Sequence, residues 1–158
     1  NKINKTIPHL LIAGDCIKMT SYKKKLIKLS KKYKIKDKII WLGKINQNKM
    51  GWCYRNAIST IITSRVESFC FIAHEALCYG STIISSNRKC LPEILGDAAI
   101  YYESLNSKEL SIKIIDLLKI STQKKNSKSL IQAKNFNNIR NFEETMKVFQ
   151  KVNSASSK

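Results

Sequence analysis

Residues Ser59–Ser85, STIITSRVESFCFIAHEALCYGSTIIS, read in turn as a strand, a loop, a helix and a second strand. Ser59-Thr60-Ile61-Ile62 and Thr82-Ile83-Ile84-Ser85 are short runs rich in β-branched residues, which pack well on a pleated surface. Between them Phe71 to Tyr79 has the length of a helix, and Gly80 stands where a left-handed residue commonly ends one. The pattern continues outward on both sides. Pro8-His9-Leu10-Leu11-Ile12-Ala13 is a first strand, halted by the turn signal Gly14-Asp15. Ile39-Ile40-Trp41-Leu42 is a second, closed by Gly43, and Ala99-Ile100-Tyr101-Tyr102 is the last. Thr20 or Ser21 can cap a helix running to about Lys34, with Tyr22, Leu26, Leu29 and Tyr33 at helical spacing. A short helix is expected over Asn48 to Asn56, and another started by Pro92.

Strands that alternate with helices make an α/β domain, a Rossmann-like parallel sheet with helices on both faces. From Ser107 the texture turns helical: Leu110, Ile114, Leu117 and Leu118 form one amphipathic stripe, and Leu130–Ala133 and Phe142–Val152 read as further helices. The expectation is one domain over residues 1–158, with a helical C-terminal part at 107–152 and a frayed polar tail at 153–158. Ser121–Ser129 is linker-like but too short to part domains. In parallel sheets ligands bind beyond the carboxyl ends of the strands, which selects the loops after Ala13, Leu42, Ile62 and Ser85.

Composition bounds the function. The chain has 158 residues and is 43% hydrophobic, too apolar for a disordered basic tail. No uncharged apolar run reaches the roughly 18 residues of a transmembrane helix, and Asn1–Pro8 lacks an apolar signal core. Five cysteines with no Cys-x-x-Cys pair argue against a disulfide framework or a zinc site and suit a reducing, cytoplasmic compartment. The net charge of +18 invites nucleic acid, yet only Arg55, Arg65, Arg88 and Arg140 among the 29 basic residues are Arg. Specific readers of bases and phosphates lean on the bidentate guanidinium. Lys in such excess, beside many Ile and Asn, has the look of an AT-rich coding bias. The densest run, Lys23 to Lys38, lies on the first helix and its exit. It supports a second reading, a basic non-enzymatic module that binds nucleic acid or an anionic membrane surface.

Chemistry concentrates in the third loop. Glu67 lies at the mouth of the sheet, and Glu75 about one turn inside the next helix. The amides near Cys70, Phe71 and Ile72 fall where a helix start leaves donors free, and the helix dipole there contributes roughly 0.3–2 kcal/mol towards an anion. A ligand with hydroxyls at both ends and phosphates in the middle matches this layout. On spacing alone the plainer alternative stays open, since carboxylates near a helix start are favoured anyway and Glu75 can be a solvated helix residue. Cys70 beside His74 lacks a third orienting group for thiol catalysis, and His9 and His74 are too few and ill spaced for a metal site. Trp41, Trp52 and the tyrosines read as packing groups.

Glu67-x7-Glu75, followed by Ala76-Leu77-Cys78-Tyr79-Gly80, resembles the E-x7-E signature of retaining glycosyltransferases of family 4, or group 1. Leu10-Leu11-Ile12-Ala13-Gly14-Asp15 is similar to that family's L-x-I-x-G-D strand, and Ile40-Trp41-Leu42-Gly43 to its V-x-F-x-G strand. Leu91-Pro92-Glu93-Ile94-Leu95-Gly96-Asp97-Ala98-Ala99 is similar to L-P-E-V-x-G-D-A-A, and Phe142-Glu143-Glu144-Thr145 sits where W-E-x-T is common. The resemblance covers about Leu10 to Val152 and implies the C-terminal, nucleotide-sugar-binding domain of a GT-B enzyme. It implies that Glu67 acts catalytically at the transferred sugar, that the amides of Ser68, Phe69, Cys70 and Phe71 face sugar and phosphate, and that Glu75 binds ribose. The turn after Leu42-Gly43 would hold the base, and Gly14 would let backbone approach the ligand.

The implied reaction is transfer of a hexosyl group from a nucleoside-diphosphate sugar to an acceptor hydroxyl, as in polysaccharide or glycolipid synthesis, with no metal or other cofactor. A sugar-nucleotide epimerase on the same fold is the weaker reading, disfavoured by the E-x7-E loop and the Leu-Pro-Glu segment. This sequence departs from the pattern where Glu67-Ser68-Phe69-Cys70 replaces E-G-F-G, and where Thr63 and Thr82 replace prolines. The family's preceding strand and helix, with an Arg and a Lys for the diphosphate, and its N-terminal acceptor domain have no counterpart before Asn1. The expectation is therefore a silent fragment whose partner is that missing domain, with Phe142, Met146 and Phe149 partly exposed. A peripheral seat at the inner membrane face, through the basic helix, completes the expectation.

Overall fold

The structure, a computed structural model, describes residues 8–14, 20–120, 126–136 and 138–155. Asp15, the start of the chain, residues 121–125 and the last three residues of the expected tail lie outside them. The chain forms two compact units, Asn1–Trp52 and Cys53–Lys158.

The first unit contains β1 (Leu10–Ala13), α1 (Thr20–Lys32), a single 3-10 turn at Lys36–Lys38 and β2 (Ile39–Gly43), and leads into α2 (Gln47–Asn56). The helix carries the chain back, so β1 and β2 pair in parallel, Leu10 opposite Ile39 and Ile12 opposite Trp41, with an irregularity between Ile12 and Ala13. α1 ends with Lys34 at φ 55°. Lys34 N–H donates to Lys31 O and Ile35 N–H to Ser30 O, at 3.1 and 2.9 Å, which is the Schellman pattern. Glycine is the usual residue there. The Lys34 Cβ crowds its own carbonyl, at a cost of roughly 1–2 kcal/mol.

The second unit holds β3 (Thr60–Ile62), α3 (Phe71–Cys78), β4 (Ile83–Ser86), α4 (Cys90–Leu95), a 3-10 turn at Gly96–Ala98, β5 (Ala99–Tyr102), α5 (Ser107–Ile120), α6 (Ser127–Ala133) and α7 (Asn138–Ala155). β3, β4 and β5 lie in that order, all parallel, with Ile84 opposite both Ile61 and Ile100. Every residue of central β4 is buried. Around it lie Ile62, Ala73, Ala76, Leu77, Leu91, Ile94, Leu95, Ala98 and Tyr102. α3 ends at Gly80, φ 67°, with the same Schellman pair of bonds from Gly80 and Ser81. It packs against α4 and α6. Ser129, fully buried on α6, donates to Ser81 O at 2.8 Å, so the exit of α3 is tied to a helix 48 residues further on.

The α/β parallel class therefore stands, with the pairings divided into a two-stranded and a three-stranded sheet. α4 starts at Cys90, two residues before Pro92. The first-turn N–H groups lack intrahelical acceptors, so the ring is tolerated at the third position as well as the first. α6 begins at Ser127, inside the linker-like stretch, because Asn126 caps it by accepting from Lys128 N–H at 3.1 Å. α7 continues to Ala155, three residues into the expected polar tail. Phe142, Met146, Val148, Phe149 and Val152 on α7 are exposed. No helix among the described residues is long and apolar enough to cross a membrane.

Lys34→Gly should raise stability by up to about 1 kcal/mol, net of the extra chain entropy glycine brings to the unfolded state. Urea unfolding measures it; a loss of stability would show that Lys34 is not in the left-handed well.

Tyr101 donates to Gly96 O at 2.7 Å, and burial, then the charge of Asp97, push its pKa up to about 12 from 10.0. Because the folded pKa is the higher one, this contribution is intact below pH 10 and is lost as pH climbs towards 12. Tyr101→Phe should cost about 0.5–1.5 kcal/mol at pH 8 for the lost hydrogen bond. The gap between variant and parent should narrow steadily above pH 10. A gap independent of pH over that window would contradict the assignment.

Candidate functional site

The loop from β3 to α3 is fixed at both ends. At its entry Ser86, buried on β4, donates its hydroxyl to Ser64 O at 2.7 Å. At its exit Cys70 is buried and its carbonyl accepts from Ala73 and His74, at 2.9 and 3.2 Å, opening α3. Phe69 anchors the last turn of the loop. Its ring meets Phe71, His74 and Phe136, at centroid distances of 5.3, 6.0 and 5.8 Å. Between these tethers Glu67 and Ser68 are exposed.

Within this loop the amides of Ser68, Phe69, Cys70 and Phe71 donate to no acceptor among the described residues. Unbonded N–H groups leading into a helix start are the kind that can take an anion. The Cys70 sulfur lies against the Ala73 and Ile72 amides, which lower its pKa, but burial outweighs them and leaves the thiol above its ordinary value. A neutral thiol does not compete for an anion's place. Neither Ser68 nor Cys70 has a positive φ, so replacing the family's two glycines costs no backbone strain here.

Glu75 is exposed on α3 but not free. The Tyr54 hydroxyl, at the end of α2, donates to its Oε2 at 3.0 Å. Tyr54 is buried, and burial, with the hydrogen bond and the charge of Glu75, pushes its pKa up, so it stays a donor. Its ring stacks on Tyr79 at 5.7 Å and 20°, and the Arg55 guanidinium lies 5.0 Å from the Tyr79 ring centre. One carboxylate oxygen is thus aimed and the other left open. A merely solvated Glu75 would have no such support. Tyr54 was not among the expected site residues, since nothing local in the sequence links it to a carboxylate 21 positions on. Phe136 was likewise missed, being a lone aromatic in a polar stretch.

The remaining expected residues lie in the first unit. Gly14, Leu42 and Gly43 meet at the carboxyl ends of β1 and β2, where Gly14 N–H donates to Gly43 O at 2.9 Å. Gly14 has φ 134° and Gly43 φ 64°, and a Cβ on either would meet nothing within 4 Å. Backbone conformation, not space inside the protein, is what calls for glycine at these two turns. His74 Nε2 faces the Cys78 sulfur at 3.8 Å, one turn along the helix, so it does not form a pair with the Cys70 thiol. Among the described residues no three His, Cys, Asp or Glu side chains gather as a metal site.

Beside Glu67 opens a cleft of about 280 Å³ between Ser64–Glu67 and Arg88–Leu91. Arg65, Arg88 and Lys89 stand around it, exposed, and the side chains of all three make no hydrogen bond or ion pair among the described residues.

Parallel strands with helices around them make an α/β, Rossmann-like domain, the fold of the GT-B glycosyltransferases it resembles in structure. The comparisons with known proteins are specific. Residues 2–152 match the family of glycosyl transferases group 1, and the chain belongs to that family. No curated protein matches it. Among solved structures it is similar to HepE of Anabaena, in complex with UDP, at 14% identity and TM-score 0.79 over 91% of this chain and 41% of that one. A glycosyltransferase from Rickettsia africae matches at 20% identity and TM-score 0.76, over 96% and 41%. Sucrose-phosphate synthase from Thermosynechococcus elongatus matches at 18% and 0.73, over 93% and 39%. The chain thus spans about two fifths of the length of these structures.

Tyr54→Phe keeps the ring stack and deletes the donor. It should lower stability by about 0.5–1.5 kcal/mol and leave Glu75 free to rotate. Thermal unfolding and the Glu75 side-chain NMR signal check this together; an unmoved Glu75 resonance would count against the contact.

Proposed function

We propose that this chain is the nucleotide-sugar-binding half of a retaining glycosyltransferase. The observation that carries the reading is the run from Glu67 to Glu75: an exposed carboxylate, four unpaired amides, and a second carboxylate aimed by Tyr54. That order suits a nucleoside-diphosphate hexose. Glu67 holds the transferred sugar, the amides of Ser68, Phe69, Cys70 and Phe71 hold diphosphate, and the open oxygen of Glu75 accepts from ribose hydroxyls. A structural neighbour solved with UDP lends the nucleotide part support.

In the proposed reaction the bond between the sugar's anomeric carbon and the diphosphate oxygen breaks, and its electron pair leaves with the diphosphate. The acceptor oxygen bonds to the same carbon and gives its proton to the departing diphosphate oxygen. Charge that develops on the diphosphate meets amides already oriented towards it, which avoids reorganisation at the moment of transfer. No metal or further cofactor is assigned to the step. A second domain brings the acceptor, so the 158-residue chain alone binds nucleotide without transferring sugar. Synthesis of a polysaccharide or glycolipid at the inner face of a membrane fits the exposed Tyr22, Leu29, Tyr33 and Ile35, which lie among the lysines of α1 and its exit. The same surface is what a purely basic binding module would use.

UDP and GDP titrations, followed by thermal shift and calorimetry, test the reading. One of the two should stabilise the chain, and Glu75→Ala should weaken it about 10- to 100-fold, the worth of charge-assisted bonds to ribose. Equal binding by Glu75→Ala would refute the ribose role. Nucleic-acid binding that persists at moderate salt, with no response to either nucleotide, would favour the basic module.

A further inference from the structure

The cleft beside Glu67 shares with the proposed donor site that one carboxylate. Its walls are Ser64–Glu67 and Arg88–Leu91, and the amides offered to the donor diphosphate begin only at Ser68. Both walls are built. Ser86 ties the end of β4 to Ser64 at the entry of the first wall. At the entry of the second, Asn87 N–H donates to Tyr102 O and its side chain bonds Glu103 and the Ser104 amide. Leu91 N–H then closes a turn onto Arg88 O at 2.8 Å. Three cations with no side-chain partner among the described residues line this space with one carboxylate, an excess of two positive charges.

The kind of cation matters as much as the number. Only four of the 29 basic residues are Arg, and two of the four, Arg65 and Arg88, line this one cleft. Lys spread over a surface serves solubility. A planar, forked guanidinium from each wall is the arrangement that grips phosphate oxygens in pairs.

We propose that this cleft binds a phosphate group carried by the acceptor, next to the sugar held at Glu67. The assignment to the acceptor rests on the nucleotide-sugar reading above; the binding of phosphate rests only on the cleft. The acceptor is then a phosphate-bearing molecule whose reactive hydroxyl lies close to its phosphate. Glu67 is the wall shared by the two sites. It keeps the phosphate off the sugar by charge repulsion while Arg65, Arg88 and Lys89 hold it.

Inorganic pyrophosphate is the probe, and amide and arginine side-chain NMR shifts of the whole chain are the readout. Pyrophosphate should move the signals of Arg65, Arg88, Lys89 and Cys90, and do so equally well when UDP or GDP saturates the donor site. Arg65→Ala with Arg88→Ala should weaken it about tenfold or more, since each removes a charge-assisted contact. Lys24→Ala with Lys25→Ala, an equal loss of charge on α1, should change it by less than about twofold if diffuse charge is unimportant.

Loss of the Arg65, Arg88 and Lys89 shifts once nucleotide saturates the donor site would overturn the proposal, because the cleft would then belong to the donor. Equal weakening by the two double variants would overturn it too, as diffuse attraction. So would the absence of shifts in the cleft. If neither nucleotide binds while pyrophosphate still marks the cleft, the nucleotide reading falls and the phosphate site stands.

Discussion

The hydroxyl of Ser86 and the carbonyl of Ser64 hold the carboxyl ends of β4 and β3 together at 2.7 Å. A buried polar group must be bonded, or it forfeits its hydration for nothing, at about 1–3 kcal/mol. Ser86 is fully buried and has no water to return to, so its bond is obligatory. Everything functional in the second unit hangs from that point. The β3–α3 loop leaves Ser64 in a set direction, and the β4–α4 loop leaves Ser86 beside it. Glu67, the free amides and the two arginines are all reached within a few residues of these anchors. A strand end built from valine or isoleucine would pack as well, but it would not fix the neighbouring loop.

The far end of the loop is secured by a different force. Phe69, Phe71, His74 and Phe136 form an aromatic cluster, and Cys70 is buried beside it. Aromatic packing here does the work that conformational freedom does in the family pattern. Where E-G-F-G lets the backbone turn through glycine, this loop keeps ordinary backbone angles at Ser68 and Cys70. The amides remain unpaired either way, which is the property an anion needs. Loss of the glycines therefore changes how the loop is held without removing what it offers.

The elements were legible because their signals are local. β5 and the first residue of α3 match the sequence pattern to the residue, and Gly80 ends α3 by the mechanism its identity suggests. Features made by contact between distant residues were not legible. Nothing near Tyr54 announces Glu75, and nothing near Phe136 announces Phe69. The same distinction explains the small misses. Lys34 takes a glycine's place because the Schellman bonds of α1 outweigh its own strain. Pro92 follows two helical residues because the first turn has no hydrogen bond for it to break. The candidate residues were found by spacing and resemblance, whereas the groups that orient them needed the fold.

The net charge of +18 says little by itself, because charge spread over a surface is screened within about 10 Å at ordinary salt. What concentrates a field is concavity and the absence of neutralising partners. Lys119 pairs with Asp116 at 2.8 Å, both exposed on α5. The acids are few, and two of them, Glu67 and Glu75, stand in the candidate site. The cations at Arg65, Arg88 and Lys89 meet a cleft. A rise in salt should therefore erase general attraction to polyanions long before it erases binding where two guanidinium groups close on one phosphate. Lysine sets the overall charge of this chain, whereas two of its four arginines stand together at the proposed phosphate cleft.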